Sequence, residues 1–141
     1  MLARFFLGFP KDERSKSIVT MSLFRVAGLT CTLTLVVLSL LPGSERPQTG
    51  LPGQIEHVIA YCATAVFLGL GYSTARARVG VVLFLALLAA ALELAQHWIP
   101  GRHSQLIDFV ASSAGAGLGI VALAIRDRWY RLPQRPWFTP L

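Results

Sequence analysis

Four stretches of this chain, residues 23–41, 55–73, 79–99 and 106–125, stay apolar for about the ~20 residues a helix needs to cross the hydrocarbon of a bilayer. Inside hydrocarbon every backbone N–H and C=O must find its partner within the protein, so segments of this length are read as helices. The first and third end at Pro42-Gly43 and Pro100-Gly101, which stop a helix by steric clash and by loss of a donor. The connections are short, and short connections join neighbours that run in opposite senses. The expected fold is all-α: a polytopic membrane protein built as an antiparallel bundle of four transmembrane helices.

Composition enters as a check on that reading. Of 141 residues, 54% are hydrophobic and 14% charged, and the mean hydropathy of +0.57 is too high for an ordinary soluble domain. The net charge of +6 does not point to nucleic acid, because the basic residues flank the apolar spans and do not interleave with surface aromatics. Cys31 and Cys62 lie inside apolar stretches without metal-type spacing and read as small packing residues. The apolar run at residues 5–9 is too short for a signal-peptide core, so the translated and mature chains are expected to coincide, with Met21 an alternative start.

Positive flanks are retained in the cytoplasm. Arg4, Lys11, Arg14, Lys16 and Arg25 precede or begin the first span, Arg76 and Arg78 separate the second and third, and Arg126, Arg128, Arg131 and Arg135 follow the fourth. Only Arg46 and Arg102 fall on the other side. Both termini are therefore expected in the cytoplasm. Residues 1–22 read as an N-terminal cytoplasmic tail, 23–125 as the transmembrane domain, and 126–141 as a basic cytoplasmic tail. Trp129, Tyr130, Trp137 and Phe138 suit that tail to the inner leaflet.

With that topology the ionisable residues of the spans gather at the outer face. An ionisable group near hydrocarbon costs roughly 2.5 kcal/mol or more unless it is paired, solvated or turned into the protein, and it is a functional candidate by default. Glu93, Gln96 and His97 are spaced i, i+3, i+4 and share a face of the third helix; His57 and Tyr61 share a face of the second, and Asp108 and Ser112 one of the fourth. Gly115 and Gly119 continue the last face and let a neighbouring backbone approach. Packed together, these faces would collect His57, Tyr61, Glu93, Gln96, His97, Arg102, Asp108 and Ser112 into one outward pocket. The same groups could instead satisfy one another, Arg102 with Asp108 or Glu93, and His57 or His97 with the remaining carboxylate.

Other chemistries have weaker signals. His57, Glu93, His97, His103 and Asp108 are zinc-ligand types, and Glu93 and His97 one turn apart could reach one ion, but the order Glu-Leu-Ala-Gln-His is not H-E-x-x-H. No metal and no cofactor is assigned on sequence. Ser104 lies beside His103 and four residues before Asp108, yet sequence neighbours rarely form a triad and no G-x-S-x-G elbow is present. Residues 115–119, Gly-Ala-Gly-Leu-Gly, sit within a membrane span and are not a phosphate cradle.

The run Gly53-Gln54-Ile55-Glu56-His57-Val58-Ile59-Ala60-Tyr61, then Glu93-Leu94-Ala95-Gln96, Pro100-Gly101-Arg102, and Asp108 through Gly119, resembles the VanZ-like membrane protein family. That family opens its second helix with a His and a Tyr, closes its third with Glu and Gln, carries an Arg in the following loop, and has an Asp before small residues in the fourth. Gln54, Ile55 and Glu56 stand where it commonly has an acidic-basic pair, and Ser112 where it usually has Asn. A ligand held by that Asn would be held differently by a hydroxyl.

The resemblance implies a multi-pass protein of the bacterial cytoplasmic membrane. The founding member is associated with low-level resistance to teicoplanin, a lipid-bearing glycopeptide that binds cell-wall precursors outside the membrane, and most members have no assigned activity. The leading expectation is non-enzymatic binding of a polar headgroup or lipid-linked cell-envelope ligand, with Arg102 facing an anionic group. The alternatives are an intramembrane enzyme using Glu93 or Asp108 as general base, and a small scaffold whose Gly115 and Gly119 contact a partner helix. The lipid bilayer and a lipid or cell-wall precursor are the partners expected, not nucleic acid; the sequence sets no oligomeric state.

Overall fold

The computed structural model describes residues 11–45, 47, 49–102 and 105–131, with side chains from Ser15 to Tyr130 within those ranges. They form α1 (Lys11–Leu40), α2 (Gly53–Gly71), α3 (Ala75–Gln96) and α4 (Leu106–Arg131), and there is no strand among the described residues. Each helix carries a span long and apolar enough to cross a membrane. The shortest, the 19 residues of α2, rises roughly 29 Å, close to the ~30 Å of a hydrocarbon core. The outward faces are apolar, with Leu23, Val26 and Leu33 on α1, Leu83 and Leu87 on α3 and Leu118 and Val121 on α4 all more than half exposed. Faces of that kind are stable against lipid and costly against water.

The helix ends depart from the apolar stretches in instructive ways. α1 begins at Lys11, well before residue 23, because Lys, Glu and Arg are good helix formers and no Gly or Pro intervenes before Gly28. α4 likewise runs on through Arg126 and Arg128 to Arg131. Thr74 caps α3, its side chain accepting from Ala77 N at 3.2 Å, so Arg76 and Arg78 lie on the helix and not in the connection before it. The last turn of α3 tightens, with Trp98 N bonded to Ala95 O at 3.1 Å and Ile99 N to Gln96 O at 3.1 Å. The two Pro-Gly stops then meet: Gly43 N donates to Pro100 O at 3.2 Å, and a Cβ on Gly43 would collide with the Gly101 carbonyl.

α2 is the helix against which the others assemble. It packs on α4 and α1 most extensively; α3 lies against α4 and also contacts α1 and α2, while α1 and α4 do not approach each other. The core is Tyr61, Ala65 and Leu68 from α2, Val81, Leu85 and Ala89 from α3, and Ala116 from α4. The α2–α4 contact is a backbone contact. A Cβ on Gly119 would stand 2.6 Å from Cys62 O, and one on Gly115 would collide with Val58 O.

At the end where α2 stops, arginines from its neighbours occupy its last carbonyls. Arg25 Nε of α1 donates to Gly71 O at 2.9 Å, with its guanidinium 4.7 Å over the Tyr72 ring. Arg78 Nε of α3 donates to Gly69 O at 3.1 Å while its Nη1 pairs with Asp127 of α4 at 2.7 Å. A helix C-terminus carries orphan carbonyls and partial negative charge, and cations there answer both. Cys31 and Cys62 are free, partly buried thiols. Of the aromatic residues expected at the inner leaflet, Trp137 and Phe138 lie outside the described residues, while Trp129 and Tyr130 are exposed on the last turns of α4.

Gly115→Ala is expected to lower the detergent melting transition by the equivalent of about 1–3 kcal/mol, the usual cost of overpacking a fitted contact. Gly117, with nothing within 4 Å of a Cβ, should accept Ala with no loss, and gain up to about 1 kcal/mol from helix propensity. Equal melting points for the two variants would contradict the α2–α4 contact.

Candidate functional site

Three helix ends meet opposite the Arg25–Arg78 clamp: the start of α2, the end of α3 and the start of α4. His57 projects from the second turn of α2, Glu93 from the last turn of α3 and Asp108 from the first turn of α4. One potential ligand atom from each lies within 4.8 Å of the others. Glu93 is buried, and the His57 and Asp108 side chains are only 15% and 16% exposed.

Each of the three is held by a further group. Ser112 Oγ, fully buried, lies 3.2 Å from His57 Nδ1, which leaves Nε2 directed toward Asp108 Oδ2 at 4.0 Å. Gln54 Nε2 donates to the other Asp108 oxygen, Oδ1, at 3.1 Å. Glu93 Oε2 accepts from the backbone N–H of Gln105 at 3.1 Å, just ahead of α4. Tyr61, also buried, lies against Ser112 and within electrostatic reach of Glu93.

The location explains how carboxylates are tolerated here. Asp108 and Glu56 sit in the first turns of α4 and α2, where aligned peptide dipoles favour negative charge by about 0.3–1 kcal/mol each. Two ionised carboxylates at separations up to 4.8 Å repel by about 3.5 kcal/mol at an effective dielectric near 20. The dipoles offset only part of that repulsion, which leaves the cluster suited to a cationic ligand.

Of the eight residues expected to line one pocket, His57, Tyr61, Glu93, Asp108 and Ser112 come together. Gln96 is buried but turns to α1, its Nε2 donating to Ser39 O at 3.1 Å. Arg102 reaches the same helix end, donating through Nε to Leu41 O at 3.1 Å and through Nη2 to Leu38 O. These are the last carbonyls of α1, which explains a guanidinium at that point independently of any ligand. His97 follows the end of α3 and is exposed; it lines a shallow cavity of about 460 Å³ with Glu93, Gln105 and Phe109. Gly115 and Gly119 face α2. His103 and Ser104 lie outside the described residues.

Two participants were missed in the sequence. Gln54 shares the His57 face of α2 by i, i+3 spacing, a signal that was present and unused. The Gln105 backbone N–H has no sequence signal. A second cavity, about 310 Å³, lies between α1, α2 and the loop joining them. Leu35, Leu38 and Ile59 make its apolar wall, while Thr49, Glu56, His57 and Arg102 make its polar rim; Thr49 Oγ1 is hydrogen-bonded to Glu56 Oε1. His57 belongs both to this cavity and to the three-helix cluster.

No protein-family model, curated protein or solved structure matches this chain.

The geometry places Ser112, and not His97, against His57 Nδ1. Ser112→Ala should shift the ¹⁵N resonances of the His57 ring and cost about 1 kcal/mol of stability, whereas His97→Ala should leave both unchanged. A larger change at His57 in the His97 variant would overturn the assignment.

Proposed function

We propose that this chain is a VanZ-like protein of a bacterial cytoplasmic membrane that binds the headgroup of a lipid or lipid-linked cell-envelope ligand at the outer face. In this reading the helices form an antiparallel bundle with both termini cytoplasmic. Contacts along α1 and α2 support opposite senses for that pair, since Arg25 meets Gly71 at one end and Leu38 lines a cavity with His57 at the other. Arg78 near the start of α3 and Arg126 near the end of α4 both pair with Asp127, at the end away from the His57 cluster, as retention of positive charge in the cytoplasm would have it.

The observation that carries the functional reading is the composition of the 310 Å³ cavity. A wall of Leu35, Leu38 and Ile59 suits an acyl or isoprenoid chain, and a rim of Thr49, Glu56, His57 and Arg102 suits a polar head. An amphiphile is the ligand class that uses both. Glycopeptide tolerance would follow if the bound molecule were a cell-wall precursor or the lipid-bearing antibiotic. A second reading, an intramembrane enzyme on a lipid-linked substrate, is favoured by the His57 imidazole held between Ser112 and Asp108, an arrangement suited to general-base work.

Native mass spectrometry of the full chain in mild detergent tests the binding reading. Wild type is expected to carry an amphiphile adduct, and Ala60→Phe, which fills the cavity from its wall, should lose it by at least tenfold, about 1.4 kcal/mol. Leu118→Phe on an exposed face of α4 serves as the control. Absence of an adduct in wild type, or equal adducts in wild type and Ala60→Phe, would refute the reading, while a product mass appearing only with added lipid-linked precursor would favour the enzyme.

A further inference from the structure

We infer that His57, Glu93 and Asp108 form a binding site for one divalent metal ion of the zinc class. The donors are one imidazole and two carboxylates, delivered by three different helices, with ligand atoms within 4.8 Å of one another. All three are established zinc-ligand types, with bonds of about 2.0–2.2 Å. A tetrahedral ion with such bonds holds its donors about 3.3–3.6 Å apart, so the 4.0 Å between His57 Nε2 and Asp108 Oδ2 closes by a small side-chain rotation. A nitrogen donor beside two oxygens selects zinc and its transition-metal neighbours over calcium or magnesium, which take oxygen shells of six or more.

The surrounding hydrogen bonds separate this cluster from a chance meeting of polar groups. A metal-bound histidine is held through its other ring nitrogen, and ligating carboxylates are themselves hydrogen-bonded. Here Ser112 lies at His57 Nδ1, Gln54 holds Asp108 Oδ1, and the Gln105 N–H holds Glu93 Oε2. Ser112 and Gln54 thus take His57 Nδ1 and Asp108 Oδ1, while His57 Nε2 and Asp108 Oδ2 face each other across the cluster. With His57 neutral, the donor set carries two negative charges, which a divalent cation balances without protonating any ligand. Three protein ligands leave a fourth position open, and His57 carries the site to the edge of the amphiphile cavity. An anionic headgroup entering there would meet a cation in place of two bare carboxylates.

The proposal concerns the polar side of the candidate ligand site but does not depend on amphiphile binding, and its test uses metal alone. The full chain, purified in mild detergent and stripped with chelator, is titrated with Zn²⁺ and read by native mass spectrometry and elemental analysis. One zinc per chain is expected, with a melting temperature that rises on zinc addition. Ser112→Ala, which keeps all three ligands, should weaken zinc about 10- to 100-fold, and the near-isosteric His57→Gln and Asp108→Asn should weaken it further. His97→Ala, which removes an exposed histidine outside the cluster, should change nothing.

No zinc on wild type would overturn the inference. So would zinc binding that survives His57→Gln and Asp108→Asn together, or that is lost in His97→Ala. If the ligand variants fail to fold, the visible spectrum of Co²⁺ on wild type decides, since a mixed nitrogen–oxygen tetrahedral spectrum is expected and an aquo-ion spectrum would refute the site. Zinc retained by Ala60→Phe and by a wild type carrying no amphiphile would refute the lipid reading and leave the metal site standing.

Discussion

The approach of the α2 and α4 backbones at Gly115 and Gly119 sets the geometry on which the rest depends. Without side chains at those positions, α4 lies directly on the carbonyls of Val58 and Cys62. One turn toward the start of α4, the same register brings Ser112 to His57 Nδ1, and one further turn brings Asp108 to Gln54. A bulkier stripe would separate the helices and with them the Ser112–His57 and Gln54–Asp108 contacts. Lipid tails are as apolar as leucine, so close packing of small residues and interhelical hydrogen bonds, not expulsion of water, drive association in a membrane. Both are used along this one seam.

The arginines illustrate how a single residue answers two demands. Positive charge at a span end biases orientation, and helix C-termini need donors for carbonyls that have no intrahelical partner. Arg25 and Arg78 reach the end of α2 from either side, and Arg102 with Gln96 reaches the end of α1. In water such carbonyls would be hydrated at little cost; near hydrocarbon each unsatisfied group costs several kcal/mol. Long side chains from neighbouring helices therefore tie the ends of the helices together.

Helix number was legible because span length is a direct reading of membrane thickness, and the four spans required no tertiary information. Helix limits were less so: hydropathy marks where a chain leaves hydrocarbon, not where hydrogen bonding stops, and α1 and α4 both continue into charged sequence. His57, Tyr61, Glu93, Asp108 and Ser112 were readable from i, i+3 and i+4 spacing at neighbouring helix ends. His97 lines a cavity with Glu93 but is exposed and stands outside the three-donor cluster, a distinction that spacing rules do not register. The carbonyl acceptors of Arg102, Leu38 and Leu41, carried no signal in the sequence.

The electrostatics of the cluster follow from where these helices begin. Two N-termini supply partial positive charge, and the chain places Glu93 and Asp108 near them. At the opposite end Asp127 is paired with both Arg78 and Arg126. At the His57 end the fixed partners that orient Asp108 and Glu93 are neutral: an amide side chain for the one and a backbone N–H for the other. Neutral donors hold a carboxylate in position without neutralising it, which preserves its attraction for a cation. The two ends of one bundle therefore differ in kind: one carboxylate is neutralised by arginines, and the others are oriented by neutral donors.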